Sequence, residues 1–365
     1  MTAPEPRRVL IATIALTAGT GTAVYTRDLA LALLRRGHLP IVYASLTGPL
    51  AEELRHSTIP VVTNLDDVGA PPDVIHGHHQ LETLAALTRF PRVPALFVCH
   101  DALTWHSIPP AGPRIGLYVA VDRNCRDRMM FEHGIAEESI HVLTNAVDLR
   151  RFAPRGPLPA KPRRAVVFSN SAREETWVEE IRAACETRGI ALELAGSAAG
   201  RPIDRPEDVL PQYDLVFAKA RCAIEALATG AAVIVCDAQG LAGLVTSDSF
   251  DALRQLNFGA RTLRRAITAD SIGAELDRYD PVDAAAVCDR IRASAGVDLL
   301  VDQYVALYDE LCARPPGEGD ELLAVSRSLT RMAAHLYAQV GGAETASPTV
   351  LARVRRRLRK LVRSS

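Results

Sequence analysis

The sequence predicts an α/β chain of two Rossmann-like domains in series, followed by a helical tail with a basic end. Three observations lead there. Short apolar runs alternate with helix-forming stretches along most of the 365 residues, the pattern of parallel strands joined by helices. A stretch holding Pro157, Pro159 and Pro162 interrupts the alternation once and reads as a linker. The alternation stops after about residue 296, where amphipathic helical patterns take over.

The first domain spans residues 1–154. A strand from Arg8 to Ala15 leads into Leu16-Thr-Ala-Gly19-Thr-Gly21-Thr22, and an amphipathic helix then runs from about Ala23 to Arg36. Leu29, Ala30, Leu33 and Leu34 form its apolar stripe, and Gly37 stops it. A glycine-rich turn between strand and helix suits a phosphate, because the free backbone N–H groups and the helix dipole point the same way. It is not a dinucleotide fingerprint. Gly19 and Gly21 fit the first two glycines, but Val24 holds the third position, and Ala44 and Ser45 stand where a ribose-binding acid would end the second strand.

Later strands end in histidines, His76-Gly-His78-His79 and His100-Asp101. No cysteine or carboxylate stands at ligand spacing beside the first group, so no metal is assigned. His100 closes a strand at the carboxyl edge of the sheet, where a substrate would lie. It is a candidate hydrogen-bonding or general-base side chain, with a structural histidine as the alternative.

The linker covers residues 155–164 and carries the expected hinge; the second domain covers 165–296. Within it, Tyr213 to Asp237 reads as strand, helix, strand. Lys219, Arg221 and Glu225 fall at the rim where such a sheet binds ligands, beyond the carboxyl ends of its strands. Two cations at a helix N-terminus suit a diphosphate. Glu225, one turn after Arg221, suits sugar hydroxyls. A surface lysine and an ordinary Arg–Glu helix pair are the alternative.

These segments together resemble glycosyltransferases of the GT-B fold, in particular the large retaining group called glycosyltransferase family four. The resemblance rests on the glycine-rich loop, the His76–His78 strand end, His100-Asp101, Asn145-Ala-Val-Asp148-x-x-x-Phe152, and Glu225-Ala-Leu-Ala-x-Gly230. It covers about residues 9–313. It implies two Rossmann-like domains facing a cleft, with acceptor binding in the first and donor binding in the second. The implied activity is transfer of a sugar from a nucleoside diphosphate sugar to an acceptor, without metal or other cofactor. Glu225 matches the glutamate that holds the ribose, Gly19 and Gly21 the loop near the donor phosphates, and His100 a histidine near the transferred sugar. Two departures stand out. Phe217 replaces a first glutamate, and the usual Arg and Lys of the second domain's first loop are missing. Lys219 and Arg221 are the expected replacement clamp, with Arg173 behind them. A catalytically silent GT-B module that binds a sugar nucleotide or a partner is the alternative. An epimerase on the same fold would need an acid/base carboxylate pair, which the sequence does not show.

Residues 297–313 form an amphipathic helix expected to cross back to the first domain, and 314–365 a helical tail. In that tail, a helix from Glu321 to Val340 precedes an expected flexible joint over residues 341–347. Between Val350 and Val362, Leu351, Val354, Leu358 and Leu361 make a helical stripe, and seven cations lie between Arg353 and Arg363. Subtracting those seven from the overall −1 leaves −8 for the rest of the chain. A basic amphipathic segment suits an anionic membrane surface, with a solvated tail or a nucleic-acid arm as the alternative, and a surface-seeking tail would suit a lipid-linked glycan acceptor of cell-surface assembly. The near-neutral total argues against a nucleic-acid partner. Seven cysteines with no C-x-x-C pair, no secretory leader and no apolar run of 18 residues lead us to expect a cytoplasmic protein, peripheral on the membrane's inner face.

Overall fold

The computed structural model describes residues 5–17, 19–314 and 319–344. The basic segment between Val350 and Val362 lies outside the described residues.

The first sheet holds β1 (Arg8–Leu16), β2 (Leu39–Thr47), β3 (Val61–Val62), β4 (Val74–Gly77), β5 (Ala95–Cys99), β6 (Ile115–Ala120) and β7 (Ile140–Val142). Their order is β3-β2-β1-β4-β5-β6-β7, with every pair parallel. Helices α1 (Gly21–Arg35), α2 (Pro49–His56), α3 (Gln80–Arg89) and α4 (Arg123–Phe131) connect them. Val9 to Ala12 are wholly buried, as a parallel strand covered on both faces must be. Thr20 caps α1 by accepting from the Ala23 N–H at 3.3 Å, and Gly37, at φ +83°, turns the chain where the helix ends.

The second sheet holds β8 (Arg164–Phe168), β9 (Ala191–Ala195), β10 (Leu215–Ala218), β11 (Ala232–Asp237) and β12 (Gly240–Leu244). The order is β12-β11-β10-β8-β9, parallel except for β12, the antiparallel edge. Its helices are α5 (Val178–Glu186), α6 (Pro206–Val209), α7 (Arg221–Ala228), α8 (Phe250–Arg254), α9 (Ala269–Leu276) and α10 (Pro281–Ser294). Strand order reverses between β1 and β4 in the first sheet and between β8 and β10 in the second. Those switch points are where doubly wound sheets open a crevice.

α11 (Val297–Ala313) returns to the first domain, burying Val301, Tyr304 and Tyr308 in that domain's core. α12 (Glu321–Glu344) follows, and an ion pair between Arg114 and Glu321 at 3.3 Å holds its start. The break expected at Gly341 is absent through Glu344. Two glycines cost a helix only about 1 kcal/mol each, which the preceding run of helix formers carries.

The hinge also falls elsewhere than expected. Ala146 belongs to the first core, whereas Val147 and Phe152 belong to the second. The return crossing lies beside it: Val147 N–H donates to the Ala295 carbonyl at 2.8 Å, and Val297 N–H to the Val147 carbonyl at 3.0 Å. The chain therefore crosses at 146–147 and 295–297. The proline-rich segment is pinned to the second domain, because Asp214 accepts from Arg155 at one end and from the backbone of Arg163 and Arg164 at the other. Proline marked irregular backbone there, not a pivot.

Candidate functional site

The loops leaving the carboxyl ends of β1 and β8 meet. The Asn170 side-chain amide donates to the Gly19 carbonyl at 3.5 Å, while its oxygen accepts from the Ser197 N–H at 3.2 Å. Gly196, at φ +144°, passes so close beneath Ser169 that a Cβ would overlap the Ser169 carbonyl. Only glycine fits there. Gly19 thus faces the second domain directly, and Gly21 opens α1.

α7 begins in strained backbone. Ala220 precedes it at φ +52°, ψ −127°, and its N–H donates to the Phe258 carbonyl at 2.9 Å. Such geometry costs an alanine of order 1–3 kcal/mol, and outliers of this kind collect at functional sites. Glycine carries no such strain and serves well as an N-cap. Ala220→Gly is expected to raise stability by about 1 kcal/mol after the entropy gained by the unfolded chain is subtracted. An unchanged or lower melting temperature would show the backbone to be relaxed.

The sequence-derived cations stand around this turn in different states. Lys219 Nζ lies 2.6 Å from Asp237 at the end of β11 and remains partly exposed. Arg221 is enclosed. It donates to Glu225 at 2.8 Å, to Asp28 of α1, and to the Ala146 carbonyl at 3.4 Å. Asp28 also accepts from Arg27 at 2.7 Å. Burial by itself would lower the Arg221 pKa, but Asp28 and Glu225 outweigh it and raise it. Burial pushes the Glu225 carboxyl up, against the pull of Arg221. In this arrangement Arg221 is committed to Glu225 Oε1 and, across the domains, to Asp28 and Ala146. Arg173 is exposed in the loop before α5 and apart from them. Phe217, where the resemblance asks for a glutamate, is wholly buried in β10.

Beyond the sequence reading lies a cluster of rings at the carboxyl edge of the first sheet. His78 Nδ1 lies 2.7 Å from His100 Nε2, His76 Nδ1 lies 2.6 Å from the Tyr308 hydroxyl, and the Tyr25 and Tyr304 hydroxyls are 2.6 Å apart. His79 Nδ1 accepts from the Ile14 N–H at 3.1 Å. Burial holds all four imidazoles neutral: His76 and His78 lie well below their ordinary pKa, and His79 and His100 are pushed down to about 3. Among the described residues no group of three or more His, Cys, Asp or Glu is arranged to hold a metal ion.

A second unforeseen feature is the joint between the domains. Asn257, left-handed at φ +51°, donates to the Val121 carbonyl and accepts from the Asn145 N–H at 3.0 Å and from Arg254 at 3.2 Å. Arg254 is buried with no carboxylate partner among the described residues, and burial pushes its pKa down to about 10. Nothing in the local sequence marks Arg254 or Asn257, since their partners lie more than 100 residues away or within the same loop.

Among solved structures, the chain is similar to a glycosyltransferase from Rickettsia africae ESF-5, at 12% identity and a TM-score of 0.60 over 85% of this chain and 99% of that one. Anabaena HepE, solved in complex with UDP-glucose, matches at 13% identity and a TM-score of 0.54 over 83% and 100%. A putative UDP-N-acetylglucosamine 2-epimerase from Listeria monocytogenes matches at 16% and 0.52 over 87% and 100%. No family model and no curated protein matches the sequence. The chain has the GT-B fold.

Proposed function

We propose that the chain is a glycosyltransferase that moves a sugar from a nucleoside diphosphate sugar to an acceptor. The observation that carries this reading is the meeting of two sheet edges across one cleft, with Asn170 on Gly19, in a fold that in HepE holds UDP-glucose. The donor diphosphate would lie at the N-terminus of α7, beside Lys219 and the glycine loop of Gly19 and Gly21, with Arg173 near the approach. The acceptor would lie against the histidine edge of the first domain. Charge that develops on the leaving diphosphate is stabilised by fixed donors, and loss of one such donor lowers turnover by roughly a hundredfold or more. Lys219→Ala is accordingly expected to reduce kcat about a hundredfold while leaving the melting temperature within about a degree, because a partly exposed ion pair contributes little to stability. Unchanged kcat would remove Lys219 from the site.

The reaction is read as metal-independent and retaining, with the anomer of the product deciding the latter. The acceptor is read as a lipid-linked glycan of cell-surface assembly at the cytoplasmic face, approached through the basic segment between Val350 and Val362. Deleting residues 348–365 is then expected to abolish sedimentation with anionic vesicles. Among the described residues, no helix is long and apolar enough to cross a membrane.

A melting-temperature screen against UDP, GDP, CDP and dTDP tests donor binding first, because a ligand that binds only the folded state raises the transition. One observation favours a second reading. Arg221, Glu225 and Lys219 all have ionic partners already, which suits a silent module that binds a nucleotide or a partner without transfer. Nucleotide binding with neither hydrolysis nor transfer of any UDP-, GDP- or dTDP-sugar would establish that alternative.

A further inference from the structure

His78 and His100 follow neighbouring parallel strands, β4 and β5, which brings their rings to 4.7 Å between centroids. Tyr25 stands edge-on to both, at 5.5 and 4.8 Å, and is itself fixed through Tyr304. Both imidazoles are neutral, so each carries one proton, and the short contact between His78 Nδ1 and His100 Nε2 holds one of the two. The tautomer of one ring therefore sets that of the other.

The unused nitrogen of His78 decides which way. His78 Nε2 is sealed from solvent and has no partner among the described residues. If His100 donated, the His78 proton would sit on Nε2 as a buried N–H with no acceptor, which native proteins rarely tolerate. If His78 donates from Nδ1, Nε2 is left with only a lone pair, a lesser penalty. The His100 proton is then on Nδ1. That nitrogen has no protein partner among the described residues and is not sealed in, and His100 keeps part of its surface open. The neighbouring Asp101 makes no hydrogen bond to His100; its Oδ1 accepts from the N–H groups of Leu103 at 2.5 Å and Thr104 at 2.7 Å.

We infer that His78 is a positioning residue that locks His100 in its Nδ1–H tautomer, so that the edge of the cleft presents a fixed hydrogen-bond donor rather than a base. A donor at this place suits a hydroxyl or carbonyl oxygen of a bound sugar. Only that choice of ligand rests on the transferase reading; the tautomer does not. A general-base role is removed, because the accessible nitrogen already carries a proton.

Long-range proton–nitrogen correlation spectra of the full chain, labelled with 15N-histidine, test this directly. The His100 signals are those missing from both His100→Asn and His100→Gln. Expected is a protonated Nδ1 and an unprotonated Nε2, with His78→Phe turning the single His100 tautomer into a mixture. A proton on Nε2, or a mixture already in the wild type, would overturn the inference, and the wild-type spectrum decides even if His78→Phe does not fold. Transfer assays give a second readout. The amide nitrogen of asparagine is as many bonds from Cα as Nδ1, whereas that of glutamine reaches the Nε2 position. His100→Asn is expected to keep about tenfold more activity than His100→Gln, as one retained hydrogen bond allows; the reverse order would count against a donor at Nδ1. A chain that transfers no sugar yet shows the tautomer upholds the assignment and counts against the transferase alone.

Discussion

Arg221→Ala is expected to lower the stability of the chain by about 3 kcal/mol, read as a fall in the urea midpoint. The guanidinium lies between two carboxylates whose side chains are 4% and 7% exposed, Asp28 of the first domain and Glu225 of its own helix. Removing a shared cation leaves buried negative charge uncompensated, and Glu225 has no other ionic partner among the described residues. Asp28 keeps Arg27, which holds the expected loss near the lower end of the range for broken buried pairs. Asp28→Asn separates the two roles open to Arg221. A strut between domains predicts a loss of about 1–2 kcal/mol for Asp28→Asn, since the amide oxygen still accepts from Arg221 but without the charge that strengthens its hold on α1. A diphosphate clamp instead predicts tighter nucleotide binding in Asp28→Asn, with stability unchanged. Glu225→Gln is the milder change, because the amide oxygen still accepts from Arg221.

The contrast between Arg221 and Lys219 shows how far the sequence carries. Strand, helix and strand around α7 were legible because apolar runs and a terminal glycine are local signals, and the structure places β10, α7 and β11 within a residue or two of that reading. The long helix α1 and the returning helix α11 were legible for the same reason. The Lys219–Asp237 pair sits at the ends of adjacent parallel strands, so it follows from the same local unit. Arg221 instead meets Asp28, 193 residues away in the other domain. No spacing rule reaches that far. The rings behave alike: each histidine was visible at its strand end, but the His78–His100 contact depends on β4 lying beside β5. The hinge was misread for a different reason. Proline reports on local backbone, whereas a pivot lies where few contacts cross between cores, and Asp214 had already tied down the prolines.

Acid is expected to unfold this chain through the same rings, well above the pH at which carboxylates titrate. In the unfolded chain a histidine gains its proton near pH 6.5. Folded, His76 and His78 stay neutral far below that, and His79 and His100 down to about pH 3, because burial disfavours the imidazolium. Between those limits the unfolded state binds more protons than the folded one, so stability rises with pH and is lost as pH falls from 6.5. Each ring accounts for about 1 kcal/mol between pH 6.5 and 5.5, and the four together for about 4 kcal/mol, a large share of the 5–15 kcal/mol typical of a domain. Buried Glu82 and Asp122 act in the opposite sense, since burial raises their pKa values and the folded state protonates first. Their proton uptake, and that of Glu225, begins above the unfolded carboxylate range and offsets part of the histidine loss, so the midpoint reads the net of the two. Urea unfolding at pH 7.5, 6.5 and 5.5 measures it. A flat midpoint across that range would mean that the rings titrate as exposed imidazoles and that the cluster is hydrated. His76→Phe adds the internal control: with one buried ring removed, the loss from pH 6.5 to 5.5 should shrink by about 1 kcal/mol, whatever the substitution does to stability at pH 7.5.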